Sequence, residues 1–147
     1  MAVAWPTVRA RLAAALPGVV GAGVTVYDGP VVTGDSPAAY LTVAHQPSTE
    51  DETAGGYEQT QDGYGGFAGE ERGTVLMELG AVTGDSVVPS VFTAADLISA
   101  WVQADQTLGV LAPGSTASLE VDVLQQNAAG AVQRLLLTLS YFTRLAA

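Results

Sequence analysis

The chain has 147 residues, of which 48% are hydrophobic and 14% charged, and its formal net charge is −10. This length and apolar content suit one folded domain and exclude a disordered chain, which lacks the apolar surface that offsets ordering entropy. Fifteen acids against five arginines, with no lysine, exclude general nucleic-acid binding through phosphate contacts. The absence of cysteine excludes disulfide scaffolds, thiolate metal sites and cysteine nucleophiles.

The first predicted element is an amphipathic helix that begins at Pro6 and ends at Pro17 and Gly18. Its apolar side chains recur every four residues: Val8, Leu12 and Leu16. Basic residues before an apolar stretch give this region the outline of a secretory signal. Proline and glycine inside the stretch argue against one and favour a cytosolic chain. No apolar run is long enough to predict a membrane-spanning helix.

Three strands are predicted in the first half of the chain, over 23–27, 38–45 and 73–82. The first ends in an Asp-Gly-Pro turn. The third alternates cleanly, with one apolar face made by Val75, Met77, Leu79 and Ala81.

Residues 46–72 lack any apolar periodicity and are rich in acids and glycine. Structureless segments of this length inside a compact domain are uncommon and are usually functional or disordered. We predict a long acidic loop or a protruding hairpin here.

The second half predicts a helix followed by two strands. Thr93 is the expected N-cap, with Asp96 adding negative charge to the first turn. The expected apolar helix face comprises Leu97, Ile98, Trp101, Val102 and Leu108. Alternating strands follow over 117–123 and 131–144, joined by a short hairpin loop.

These elements predict one α+β domain spanning 1–147, in the order α-β-β-β-α-β-β. The sheet is expected to be mostly antiparallel, with both helices packed on one face. The expected core residues are Leu12, Leu16, Leu97, Trp101, Leu135, Leu137 and Leu139.

The sequence offers no catalytic, cofactor or metal site. His45 is the single histidine, and no nucleophile motif accompanies it. The glycine-rich string at 63–69 matches no phosphate-binding pattern, and an anionic ligand would meet surrounding acids there. We therefore expect no enzyme, and we interpret the acids of 46–72 as solvated surface, with divalent cation binding as the alternative.

Three aromatic residues interrupt the acidic segment: Tyr57, Tyr64 and Phe67. Aromatic side chains are enriched at protein interfaces. We predict that they, with Arg72, anchor in a neighbouring subunit or partner. The alternative is that they pin the segment onto its own domain.

Four pieces of the chain resemble the tail terminator, or tail completion, proteins of long-tailed bacteriophages, particularly those of actinobacterial hosts. They are VYDGPVVTGD at 26–35, GAVTGDS at 80–86, ADLISAWVQADQTLG at 95–109 and GAVQRLLLTLSYFTR at 130–144. The order of elements is also similar to that family's small α+β fold. These pieces are turn and packing patterns. Family members vary in the 46–72 segment, so no residue of that segment can be matched to the family.

The resemblance implies a virion protein that is assembled in the host cytoplasm and needs no cofactor or membrane. It would form a six-fold ring with itself on the head-proximal end of the tail tube. The ring would contact the tail tube protein, end tube polymerisation, and offer a joining surface to the head's connector or stopper protein. Genome DNA would pass through the ring without specific binding.

The negative charge suggests how such a channel would avoid holding DNA, since phosphate contacts are what bind it. The acids expected at the lumen or rim are Glu50, Asp51, Glu52, Glu70, Glu71, Glu78 and Asp85. Three other functions stay open: a head–tail connector or adaptor of the neck, an enzyme that would have to depend on His45, and a non-viral soluble binding module.

Overall fold

A computed structural model describes residues 3–31, 34, 38–45, 54–61, 68–82, 87–126 and 132–146. These residues form two helices and six strands. In chain order they are α1 (Trp5–Val20), β1 (Thr25–Asp28), β2 (Ala39–Val43), β3 (Gly55–Gln61), β4 (Ala68–Val82), α2 (Val87–Ala104), β5 (Thr116–Gln126) and β6 (Val132–Ala146). The predicted α+β class and order are confirmed, and β3 is an additional strand inside the 46–72 segment.

All six strands belong to one sheet in the order β1-β2-β4-β6-β5, and β3 also pairs with β4. β2 lies along Met77–Ala81 and β3 along Gly69–Val75, so the two share one edge of β4. Only the β1–β2 pair is parallel. Within 46–72, the described residues of β3 and the start of β4 pair as antiparallel strands of this sheet.

Both helices pack on the same face of this sheet, where the core lies. Direct cross-strand partners share a face, so Leu41, Leu79 and Leu135 form one row of it. The core strand residues are fully buried: Leu41, Val43, Val75, Met77, Leu79, Leu135, Leu137 and Leu139. We call the opposite side of the sheet the uncovered face, because neither described helix packs there.

The sheet is longer than the helices that cover it. β4 and β6 contain 15 residues each, which span about 50 Å at about 3.3 Å per residue. The helices contain 16 and 18 residues, or about 24–27 Å at about 1.5 Å per residue. The first residue of α1 and the segment before β5 contact the part of the sheet that lies beyond the buried leucines. The Trp5 indole N–H donates to the Thr74 carbonyl at 2.8 Å, and Ser115 Oγ lies 2.7 Å from Thr143 Oγ1.

Helix α1 runs one turn further than predicted. Pro17 lies inside the helix, which continues to Val20 and ends at Gly21 with φ 83°. A proline in the last turn disrupts only one backbone hydrogen bond. Continuing the helix extends the buried stripe from Leu16 to Val20, which is 9% exposed, so core packing determines where the helix ends.

Helix α2 begins at Val87 rather than at Thr93, so the predicted N-cap is wrong. Pro89 lies in the first turn, where its missing N–H has no helical partner to lose. The buried face is Val91, Ala94, Ala95, Ile98 and Val102.

Leu97 is 44% exposed and does not belong to the core. Trp101 is half-buried and packs against the core. The Arg11 guanidinium carbon lies 5.8 Å from the centre of the Trp101 ring. Five of the seven expected core residues are buried: Leu12, Leu16, Leu135, Leu137 and Leu139.

Candidate interaction surface

Two cross-strand rows on the uncovered face run over four strands, from β3 to β5. One row contains no bulky side chain and consists of Gly56, Thr74, Ser140 and Ser118. The next carries charge and an aromatic ring and consists of Glu58, Arg72, Phe142 and Thr116. Both rows contribute to the lining of one surface groove.

The groove has a volume of about 840 Å³ and is also lined by residues of the helix-side face. Its lining is made of both rows, the row between them, and one residue that follows α2: Gly56, Tyr57, Glu58, Arg72, Gly73, Thr74, Gln106, Thr116, Ala117, Ser118, Ser140, Tyr141 and Phe142. Hydroxyl groups dominate its polar lining. Aromatic rings and glycine backbone add apolar surface, so the groove suits a segment or ligand with both polar and apolar parts.

Arg72 is exposed and lies over its cross-strand neighbour Phe142, with the guanidinium carbon 5.1 Å from the ring centre. Such a contact stabilises by about 0.5–1 kcal/mol at exposed sites and orients the cation. Arg72 is thus held in place on the surface, where it can contact an acidic partner.

Of the predicted interface anchors, the structure describes Tyr57 and Arg72, which lie on opposite faces of the sheet. Tyr57 is 48% exposed and shares the helix-side face with its cross-strand partner Gly73, whereas Arg72 lies on the uncovered face. Tyr64 and Phe67 lie outside the described residues. The sequence did not identify Phe142, although its alternation within 131–144 placed it opposite the core residues.

Glu71 and Glu78 have no exposed surface, which corrects the expectation that they line a rim or lumen. They lie on opposite faces of β4, because seven residues separate them and strand side chains alternate. Each is held by donors from other strands.

Glu71 lies on the helix-side face and accepts three hydrogen bonds. The donors are the Ala4 backbone N–H at 3.0 Å, Gln59 Nε2 at 2.8 Å and the Tyr141 hydroxyl at 2.7 Å. Burial and the hydrogen bond to Glu71 raise the pKa of Tyr141 well above its usual range. Glu71 therefore joins α1, β3, β4 and β6 at one point.

Glu78 lies on the uncovered face, between β2 and β6. The Tyr40 hydroxyl donates to Oε2 at 2.9 Å, and Arg134 Nη2 donates to Oε1 at 3.0 Å. Burial and the neighbouring Glu78 charge raise the pKa of Tyr40 to about 12. Arg134 is thus a structural cation, paired with a buried acid.

The remaining predicted acids divide into two groups. Glu70 is half-buried on β4, opposite Arg144 on β6. The others lie outside the described residues: Glu50, Asp51, Glu52 and Asp85. The uncovered face also carries exposed acids that were not singled out from sequence, namely Glu58, Glu120 and Asp122.

No group of three potential metal ligands occurs within the described ranges. His45 is half-buried, and its backbone N–H donates to the Leu76 carbonyl at 3.2 Å. Neither described helix has both the length and the hydrophobicity needed to cross a membrane.

Comparison of the chain with protein-family models and with curated proteins found no match.

Proposed function

We propose that this chain is a virion structural protein that forms a ring, six copies in all, at the head-proximal end of a phage tail tube. The ring ends tube polymerisation and provides the surface to which the head's connector binds. The resemblance of four sequence segments to tail terminators supports this function, and so does the α+β fold that the resemblance implies.

The observation that carries the proposal is the β3–β4 hairpin beside an uncovered sheet face. The hairpin presents Tyr57 on one side and Arg72 on the other. A two-layer domain whose described helices leave one sheet face uncovered has a surface that can pack against neighbours. Tyrosine and arginine are both enriched where protein interfaces concentrate binding energy.

The proposed channel is negatively charged, so that DNA slides without phosphate contacts. Because Glu71 and Glu78 are buried, the acids proposed for this purpose are Glu50, Asp51 and Glu52, together with the half-buried Glu70.

The first experiment is electron microscopy of phage particles produced with this gene silenced. Tails of uncontrolled length, detached from filled heads, are the expected result. Filled heads beside separate tails of normal length would instead indicate a connector of the neck. Normal particles would contradict both structural functions.

The channel hypothesis has its own test in the variant Glu50→Lys, Asp51→Lys, Glu52→Lys. We expect particles of normal appearance that eject DNA slowly or incompletely, because lysines bind the passing phosphates. The matched control is Glu50→Gln, Asp51→Asn, Glu52→Gln, which removes charge without adding cations. Normal infectivity of the lysine variant would contradict the hypothesis.

One observation favours a second function, a binding module outside a virion. The 840 Å³ groove has the volume of a small-molecule site. It is open to solvent, however, whereas such sites are concave and bury most of the ligand's surface. A stable monomer that binds a small ligand tightly in this groove would favour the binding module over the ring.

A further inference from the structure

The outer edge of β5 has no partner strand among the described residues. β5 pairs with β6 on one side and ends the sheet there. The ladder is regular from Thr116 to Val123 and then shifts register before Gln125. Eight consecutive residues therefore present a straight edge whose outward N–H and C=O groups can pair with another chain.

The helix-side face of this edge is apolar and exposed. Val121 and Val123 are 42% and 56% exposed, although their cross-strand partners Leu137 and Leu135 are fully buried. Helix α2 packs against the first part of β5, where Ala117 is buried, and leaves Val121 and Val123 further along the strand exposed. On helix α2, the apolar residue Phe92 is also exposed, at 41%.

The other face of the same edge is acidic. Glu120 and Asp122 alternate with the two valines and are both exposed. An incoming strand would therefore meet valine methyl groups on one side and two carboxylates on the other. Opposite charges placed across a strand pair stabilise it, and like charges destabilise it.

We infer that the outer edge of β5 binds an extended segment of another protein by strand addition. The segment alternates apolar residues, which contact Val121 and Val123, with lysine or arginine, which contact Glu120 and Asp122. Backbone hydrogen bonds supply affinity in this mode, and the alternating side chains supply specificity.

A second copy of this chain does not fit the same edge. The two other edge strands, β1 and β3, contain Asp28 and Glu58, and neither contains a basic residue. Pairing β5 with the β5 strand of a second copy would place carboxylates opposite carboxylates. The occupant is therefore a different protein, and the inference does not depend on the proposed ring.

The test uses the full chain and a short, capped peptide in which valine and lysine alternate. We expect saturable binding, with amide chemical-shift changes concentrated in 116–123 and slower hydrogen exchange of the outward β5 amides. The matched control peptide has glutamate in place of lysine and should not bind.

Protein variants test each face of the edge separately. Glu120→Gln with Asp122→Asn should weaken binding roughly three- to tenfold and remove most of its salt dependence. Val123→Asp should weaken it at least as much, since it places a carboxylate among the apolar contacts. Leu97→Asp is the control, because Leu97 is similarly exposed but belongs to α2 and not to the β5 edge.

Three results would overturn the inference. One is no binding of the valine–lysine peptide, or equal binding of the valine–glutamate peptide. Another is binding that Val123→Asp leaves unchanged while the variant stays folded by circular dichroism. The third is protection of the outward β5 amides in the free protein with loss of this protection on dilution, which would assign the edge to a contact between copies.

Discussion

The Tyr141 hydroxyl donates a 2.7 Å hydrogen bond to Oε2 of the buried Glu71. The two residues lie on neighbouring strands, and the tyrosine ring lies over Gly73, its direct cross-strand partner. The glycine leaves room for the ring, and the ring in turn covers the backbone of the glycine. The acid, the glycine and the tyrosine therefore form one unit on the helix-side face.

A second unit of the same composition lies on the uncovered face. Tyr40 covers its cross-strand partner Gly80 and donates to Glu78 at 2.9 Å. Both units follow a Glu-x-Gly sequence in β4. The second differs by including a cation, Arg134, so its buried acid has an opposite charge beside it.

The first prediction concerns Gly73. In Gly73→Ala the new methyl group would overlap the Tyr141 hydroxyl and ring. We expect a loss of about 1–3 kcal/mol in the free energy of unfolding, the usual cost of overpacking. Gly56→Ala is the control, because a Cβ there meets no atom within 4 Å. Urea denaturation of both variants gives the comparison, and equal stabilities would show that Tyr141 can move aside without loss.

The second prediction compares two tyrosine substitutions. Tyr141→Phe removes one of three neutral donors to Glu71, and we expect a loss of about 1–3 kcal/mol because a buried acceptor is left short of a partner. Tyr40→Phe should cost less, since Arg134 still contacts Glu78. Chemical denaturation of the two variants at neutral pH measures the difference. A larger loss in Tyr40→Phe would contradict this ranking.

The third prediction is loss of stability in alkali. The pKa of Tyr40 is raised from 10.0 to about 12, and that of Tyr141 is raised further. Above pH 10 the unfolded chain loses these phenol protons while the folded chain keeps them. Proton linkage therefore lowers the free energy of unfolding as pH rises, by at most about 1.4 kcal/mol per pH unit for each group.

Urea denaturation between about pH 9 and pH 12 measures this slope. The stabilisation from Tyr40 should be complete below pH 10 and lost as the pH passes about 12. Tyr40→Phe should give a shallower slope than the unmodified chain, because one titrating group is gone. An unchanged slope in Tyr40→Phe would show that burial of this hydroxyl does not control the alkaline transition.

Periodicity predicted the elements whose side chains face the core. The four-residue stripe of α1 and the alternation of β6 place Leu12, Leu16 and Leu137 at fully buried positions. Strand β3 could not be identified in this way, because its sequence has no apolar alternation. It is held by backbone pairing with β4 and by Gln59, which contacts Glu71.

The acids show where sequence patterns stop being informative. Solvent exposure is the ordinary expectation for a glutamate. Glu71 is buried because donors arrive from distant parts of the chain, including the Ala4 N–H, 67 residues away. No local pattern contains that contact. The sequence does contain one signal of these buried acids, a glycine two residues after each of them. The tyrosine that packs on each glycine, however, can be identified only from the strand register.

The last prediction tests the assignment of the two layers. Leu137 is fully buried at the centre of β6, so Leu137→Ala should lower the free energy of unfolding by about 2–5 kcal/mol. Leu97→Ala is the matched control, since the same atoms are removed from a side chain that is 44% exposed. It should cost well under half as much, because less apolar surface returns to water. Thermal and urea denaturation of both variants would decide the question. Comparable losses would mean that α2 is rotated about its axis relative to the packing described above, with Leu97 facing the sheet.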